Sequence, residues 1–599
     1  MIAPARETRA LLAILAVLGA LLLSTSVPGV FIIDENNYLS TILSLRAGRL
    51  TVPGTEGLTP SRMLAYFDPG GKSRRTATSP TASTAPPLYA FIALPFSLLG
   101  WRGLIALNVL AFLGTGFLVF RLAQLFAAER ATPWLAFWTF VLGGYSIEYA
   151  QGVWPHMLSV ALATGAVVCA ARSRGDGGLV TSAAAGLLCG IATGVRYQNV
   201  VLALAVGAGL LLAERRPRAK AAAFAVALLL PLSASSVINH ARLGSWNPVS
   251  KGPDWTSLEA GRTLGSSLVE GAVFLATKVV DYSLHPAPLN PAIVLPCQIP
   301  YLPTGAYFYW GAIKKAWIQS SPWILLALVV LVALAVSRES SARRREARAF
   351  LLVVVAVLAL FAAAGFRRID GVCFNQRYFL ELVPILAIAF AWGAEGRPLA
   401  RQPLLEGGLL GTVLGGIPVS LPVLSEARHF LLFRVPLVLA LLLVLAWLAA
   451  GSSRVPSVAW WSRLVGACLF YALVVHLGDD LTATTFARTR KLAILRSVES
   501  AIPKGPAALF ARWGSTEPFG PLQLDHDLVI LDTRNAPAVE GRQLVGELLE
   551  KGRRVFVYTT GMSREELLVL AGGLDVVRPP LPPDVALLEL RARTGASLP

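Results

Sequence analysis

Of 599 residues, 55% are hydrophobic and 15% charged, and the mean hydropathy is +0.61. That is more apolar surface than a soluble domain can bury, so the composition excludes a soluble globular protein and specifies a polytopic membrane protein. The formal charge of +18 does not indicate a nucleic-acid binder, because the Arg and Lys residues fall in short clusters between apolar runs rather than on one face.

The first apolar run covers about residues 10–30, with no convincing small-residue cleavage site after it, and reads as a retained first span. Immediately beyond it stands IDENNY, which puts Asp34 and Glu35 at the edge of a bilayer. Ionisable groups there are costly and point to a functional site facing a cavity. The same two acids also suit the cap of a helix through NNYLSTILSLRAG, or the start of a solvated loop. The segment from 31 to 102 ends in PPLYAFIALPFSLLG at 86–100, too short for a span and interrupted by Pro95, which predicts an interfacial helix.

Further apolar runs follow at about 103–120, 132–146, 154–171, 178–195, 198–213, 220–238, 321–337, 349–366, 378–394, 407–424, 430–450 and 458–477. With the first, they make about thirteen spans. Placing Arg6 and Arg9 in the cytoplasm makes the inner turns RLAQLFAAER, ARSRGDG, ERRPRAK, SRESSARRREAR, GRPLARQ and SSRVPS, nearly all basic, which is the bias expected of cytoplasmic loops. The same phase puts 31–102, 147–153, 239–320 and 367–377 outside, along with everything after about Leu477. The aromatic and proline-rich parts of 239–320 predict helices lying at the membrane surface.

From about residue 490 the pattern changes. DLVILD, RVFVYTT and VALLELR alternate with the helical patterns GRQLVGELLEKG and SREELLVLAGG, predicting a small parallel α/β domain over 490–599 behind a transmembrane domain over 1–480. It has neither GxGxxG nor a Walker loop, so no nucleotide is assigned, and Asp525, His526 and Asp527 read as a turn before a strand. The five cysteines have no CxxC spacing. Cys297 and Cys373 both fall in outer segments, which leaves a disulfide between them open.

These features together resemble the integral-membrane GT-C glycosyltransferases, the class of the protein O-mannosyltransferases, the lipid A aminoarabinose transferases and the oligosaccharyltransferase catalytic subunits. IDENNYLSTILSLRAGRL is similar to the acidic motif that opens their first outer loop. TAPPLYAFIALPFSLLGWRG is similar to the Lys-Pro-Pro-Leu stretch that closes it, with Ala85 where the lysine stands. NQRYFLELVPILAI at 375–388 is similar to an aromatic-flanked Arg-Tyr before a proline-bearing helix; GVRYQNVVLALAV and NHARLGSWNPVSKG match weaker features. The resemblance covers roughly residues 10–395.

It implies transfer of a sugar from a polyprenyl-phosphate donor to a protein, lipid or glycan acceptor on the extracytoplasmic side of the cell membrane, with membrane lipids as the surrounding partner. It implies Asp34 as general base. The arginines Arg196 and Arg377 are the candidates for the leaving phosphate. Glu35, Glu148, His156 and Tyr378 join them as substrate-binding candidates, and Lys72, Arg74 and Arg75 read as a basic cluster in a solvated loop. A divalent cation on Asp34, Glu35 and Glu148 is left open. The competing expectations are a transporter or flippase of lipid-linked glycans, a non-catalytic scaffold, and a polysaccharide polymerase or ligase.

Overall fold

The computed structural model describes residues 5–50, 85–173, 178–213, 217–249, 308–309, 312–313, 315–336, 349–356, 375, 377–423, 425–450, 455–512, 515–533, 538–583 and 585–593. Helix α1 (Ala5–Thr25) is followed by α2 (Ile33–Arg46), α3 (Pro87–Ser97), α4 (Gly100–Phe126), α5 (Ala131–Gly143), α6 (His156–Ser173), α7 (Gly178–Val195), α8 (Val200–Ala213) and α9 (Pro217–Leu243). After them come α10 (Trp323–Val336), α11 (Val383–Gly393), α12 (Arg401–Ser420), α13 (Glu426–Ala450), α14 (Val455–Val475) and α15 (Thr482–Glu499).

Among the described residues, eight helices are long and apolar enough to cross a membrane, and the shorter apolar helices include Ala131–Gly143, Tyr197–Leu211, Trp323–Val336 and Phe379–Gly393. The protein is therefore a multi-pass membrane protein, and twelve of the thirteen expected runs carry one of these helices. The thirteenth, 349–366, is helical over 349–356, and its remainder lies outside the described residues.

Two loops expected on the same side meet there: Glu395 accepts from the backbone of Ala128 at 2.6 Å, and Glu129 accepts from Gly396 at 2.8 Å. Glycines set the closest helix pair. A Cβ on Gly407 of α12 would sit 1.9 Å from the Arg463 carbonyl of α14, and one on Gly411 would sit 2.3 Å from that of Ala467. Only hydrogen lets the two backbones approach this closely, as is common where membrane helices pack on small residues.

The span expected over 458–477 continues through a π turn, His476–Leu481, into α15, giving one 42-residue helix, Val458–Glu499. It carries the chain into the last domain. There β3 (Ala507–Ala511), β4 (Leu528–Asp532), β5 (Arg554–Tyr558), β6 (Asp575–Val577) and β7 (Leu587–Arg591) form a sheet of order β4-β3-β5-β7-β6. Helices α16 (Ala538–Glu550) and α17 (Arg564–Ala571) cover one face through Leu544, Val545, Leu548 and Leu570. The other face packs on Leu495 and Val498 of α15 and on Phe519 and Leu522.

The sheet is mixed rather than parallel throughout: β3 pairs parallel with β4 and β5, but β7 is antiparallel to β5 and β6. The proline-rich return RPPLPPD before β7 has no crossover helix, so the last strand runs back against its neighbours. A second departure lies in 239–320, where a surface helix was expected across AYFYWGAIKK. There β1 (Phe308–Tyr309) pairs antiparallel with β2 (Ala312–Ile313), as suits an aromatic run flanking a glycine. Lys72, Arg74, Arg75, Cys297 and Cys373 lie outside the described residues.

Candidate active site

Helix α2 starts on an extended residue, Ile32, and has its two acids in the first turn. They divide the work. Glu35 is fully buried and reaches back to cap its own helix: Oε2 accepts from Phe31 N at 2.5 Å and Ile32 N at 3.4 Å. Its Oε1 accepts from Val153 N at 2.7 Å and Arg488 Nη2 at 2.9 Å. Four donors fill both oxygens of Glu35, expected at the substrate, and hold it in a buried capping network. Asp34 points elsewhere. Its side chain is 31% exposed, and Oδ2 accepts from Arg377 Nη1 at 3.1 Å.

Arg377 opens a 3-10 segment, Arg377–Leu382, that leads into α11. The sequence expectation that Asp34 and a late arginine share one place thus holds for Arg377. The two are joined electrostatically by Tyr38, one turn along α2. Burial pushes its phenol above its usual range and the Asp34 charge adds to this, whereas Arg196 and Arg377 pull it down. The Tyr378 side chain lies outside the described residues.

Arg196 sits at the break after α7, in extended backbone. It is 6% exposed, and its partner is Glu381, with Nη1 2.6 Å from Oε1. Glu381 also accepts from Ser159 Oγ at 2.8 Å and Gln198 Nε2 at 3.3 Å, and Ser159 accepts from Asn199 Nδ2 at 2.7 Å.

Glu148 is buried in the 3-10 turn Tyr145–Tyr149 and accepts from Asn375 Nδ2 at 2.7 Å. That amide donates equally to Asp480 Oδ2, also at 2.7 Å. Asp480 belongs to a buried charge network: Lys315 Nζ is 2.5 Å from Asp480 Oδ1 and 3.0 Å from Asp479 Oδ2, Arg428 pairs with Asp479, and His476 Nδ1 is 3.0 Å from Asp480. His156, at the start of α6, packs against Tyr149 and Trp154, with ring centroids 5.0 and 5.3 Å away, and its Nδ1 has no hydrogen-bond partner among the described residues.

Asp34, Glu35 and Glu148 face three different sets of partners and do not converge as oxygen ligands. Among the described residues no group of three or more His, Cys, Asp or Glu is placed to hold a metal ion. These three carboxylates are thus not arranged as a shared set of oxygen ligands.

Sequence reasoning passed over Glu381 although it stands inside NQRYFLELVPILAI, an acid in an otherwise apolar run and four residues after Arg377. It also passed over HLGDDL, whose paired aspartates end an apolar span, and over Arg242. That arginine donates from both terminal nitrogens to the Ala85 carbonyl, each at 3.1 Å. It brings positive charge to the mouth of α3, beside a cleft lined by Ser44, Arg49, Pro87 and Phe91.

The whole-chain fold matches known structures. ArnT from Cupriavidus metallidurans, bound to undecaprenyl phosphate, superposes with a TM-score of 0.53 at 13% identity over 98% of each chain. The apo state of the same protein gives 0.50 at 12% identity and the same coverage. An archaeal oligosaccharyltransferase, AglB from Archaeoglobus fulgidus in complex with an inhibitory peptide and a dolichol-phosphate, aligns at 0.47 and 11% identity over 99% of this chain and 76% of that one. No protein-family model matches the chain, and no curated protein sequence matches it. The chain thus shares its overall fold with ArnT, a fold in keeping with the sequence resemblance.

Proposed function

We propose that the protein is a membrane glycosyltransferase that moves a sugar from a polyprenyl-phosphate donor to an acceptor on the extracytoplasmic side of the membrane. The observation that carries this reading is the Asp34–Arg377 pair, a partly open carboxylate held 3.1 Å from a guanidinium. An acceptor hydroxyl or amide attacks the anomeric carbon. A new bond forms there while the bond from that carbon to the phosphate oxygen breaks, and the electron pair stays on the lipid phosphate. Asp34 takes the acceptor proton. Arg377, whose planar fork suits a phosphate, meets the charge that develops on the leaving group.

The GT-C fold and the undecaprenyl phosphate bound to ArnT support a lipid-linked donor. The basic turns between spans support a cytoplasmic N-terminus, which places the last domain and the Asp34 loop outside.

The test uses purified protein in liposomes with labelled undecaprenyl-phosphate sugars, comparing wild type with Asp34→Asn. Turnover by wild type and its loss in the variant is the expected result. Equal turnover by both removes Asp34 as base, whereas no turnover with any donor by folded wild type favours the transporter or scaffold readings.

A further inference from the structure

We propose that Arg196 and Glu381 act as one neutral unit that seats the Arg377 turn against Asp34, so that Arg377 and not Arg196 meets the donor phosphate. Glu381 is then a positioning residue. This rests on the transferase reading and adds to it which of two arginines is the phosphate ligand.

Both members of the pair are 6% exposed, and their 2.6 Å contact is sealed from solvent, whereas the Asp34–Arg377 contact is longer and partly open. Removing either partner strands a buried charge, which is far more costly than removing both. Arg377 is the more open guanidinium, with a side chain 17% exposed against 7% for Arg196.

The backbone explains why one short segment serves two partners. In a 3-10 helix of about three residues per turn, positions i and i+3 eclipse. Position i+4 therefore points about a third of a turn away, with the two residues about 8 Å apart along the axis. Arg377 faces α2, while Glu381 faces α6 and the break after α7, where Arg196, Ser159 and Gln198 all bond to it.

On the other side of Arg377, two residues earlier, Asn375 is tied to Glu148 and Asp480, and its carbonyl accepts from Tyr149 Oη at 3.1 Å. The turn is thus anchored before and after the arginine it presents.

The test is a double-mutant cycle with two readouts. In the first, kcat/KM and the affinity for undecaprenyl phosphate are measured for Arg196→Gln, Glu381→Gln and the pair. In the second, Asp34→Cys and Arg377→Cys are placed in a background lacking the native cysteines, and the yield of a short bis-thiol cross-link reports how closely α2 faces the turn, without any substrate. Each single variant is expected to lose about tenfold or more in kcat/KM and several-fold in cross-link yield, and the double variant to return to within about threefold of wild type.

The proposal is overturned if the double variant is no better than Arg196→Gln, or if Arg196→Gln weakens undecaprenyl phosphate binding and Glu381→Gln does not. Should the glutamine variants not fold, Glu381→Asp, which keeps the charge and shortens the reach, must lower both readouts; wild-type values refute the seat. If wild type shows no turnover, the transferase reading fails, and the cross-link still decides whether the pair seats the turn.

Discussion

Asp34 and Arg377 are 343 positions apart in sequence and 3.1 Å apart in space, Oδ2 to Nη1, each accessible while Glu35 beside them is sealed. On the proposed reading, Asp34 as base and Arg377 as phosphate ligand have separable tasks. Asp34→Asn keeps the shape and removes the base, so turnover is expected to fall by about 10²–10⁴-fold. Affinity for undecaprenyl phosphate should hold or rise, because Arg377 loses its counter-charge. Arg377→Ala should do the reverse, weakening phosphate-lipid binding first. Single-turnover rates and equilibrium binding on the same samples distinguish the two.

Glu35→Gln should behave as a stability variant. It leaves Arg488 buried, 2% exposed at its side chain, without its carboxylate. Breaking a buried pair from one side costs about 3–5 kcal/mol. Thermal inactivation in detergent is expected to move to clearly lower temperature while KM of the surviving enzyme stays near wild type; a raised KM with normal stability contradicts the capping assignment.

The last domain is pinned to α2, the helix that carries Asp34. Asn36 Nδ2 donates to the Glu517 carbonyl at 3.2 Å, Lys491 bridges Glu517 and the Phe31 carbonyl, and a Cβ on Gly520 would lie 1.8 Å from Asn36 Oδ1. Gly520→Ala should therefore push the domain off α2 at a cost of about 1–3 kcal/mol, speed hydrogen exchange in α2 and lower activity. Gly505→Ala, where an added methyl meets nothing within 4 Å, is the control and should leave all three unchanged.

Much of this was legible in the sequence because hydropathy along a chain reports where helices lie. The apolar runs, the basic turns and the short Pro95-bearing helix all follow from it, and so does the acid after α1. What hydropathy cannot report is which charge meets which across the chain. Glu35 and Glu148 look as available as Asp34 in the sequence, but Arg488 and Asn375, hundreds of residues away, claim them. The inner strand β3 was also hidden. AALFA has no β-branched residue, and all five positions are buried because the sheet is covered on both faces, so neither propensity nor alternation marks it.

The C-terminal sheet carries its own acid sensitivity. Glu589 is buried at its side chain and bonds Arg554 at 2.7 Å and Arg591 at 2.6 Å. Burial raises its carboxyl pKa, but the two guanidiniums outweigh this and hold it below the usual glutamate value. A depressed folded-state value stabilises the fold above the ordinary glutamate pKa, and that contribution disappears as pH falls through the lower native one. Because both arginines are about half exposed, the gain is at most about 1 kcal/mol. Glu589→Gln should lower the melting temperature of the domain slightly at neutral pH and match wild type in acid; a gap that widens on acidification contradicts the assignment.

The grip of Arg488 and Lys491 on Gly29 and Phe31 fixes when this protein is finished as well as how. The ribosome makes Glu35 of the acidic turn 453 residues before the arginine that closes it. At about 5–20 residues per second that is a wait of roughly half a minute to a minute and a half. A nascent chain that has emerged through most of its spans therefore still lacks a closed acidic turn.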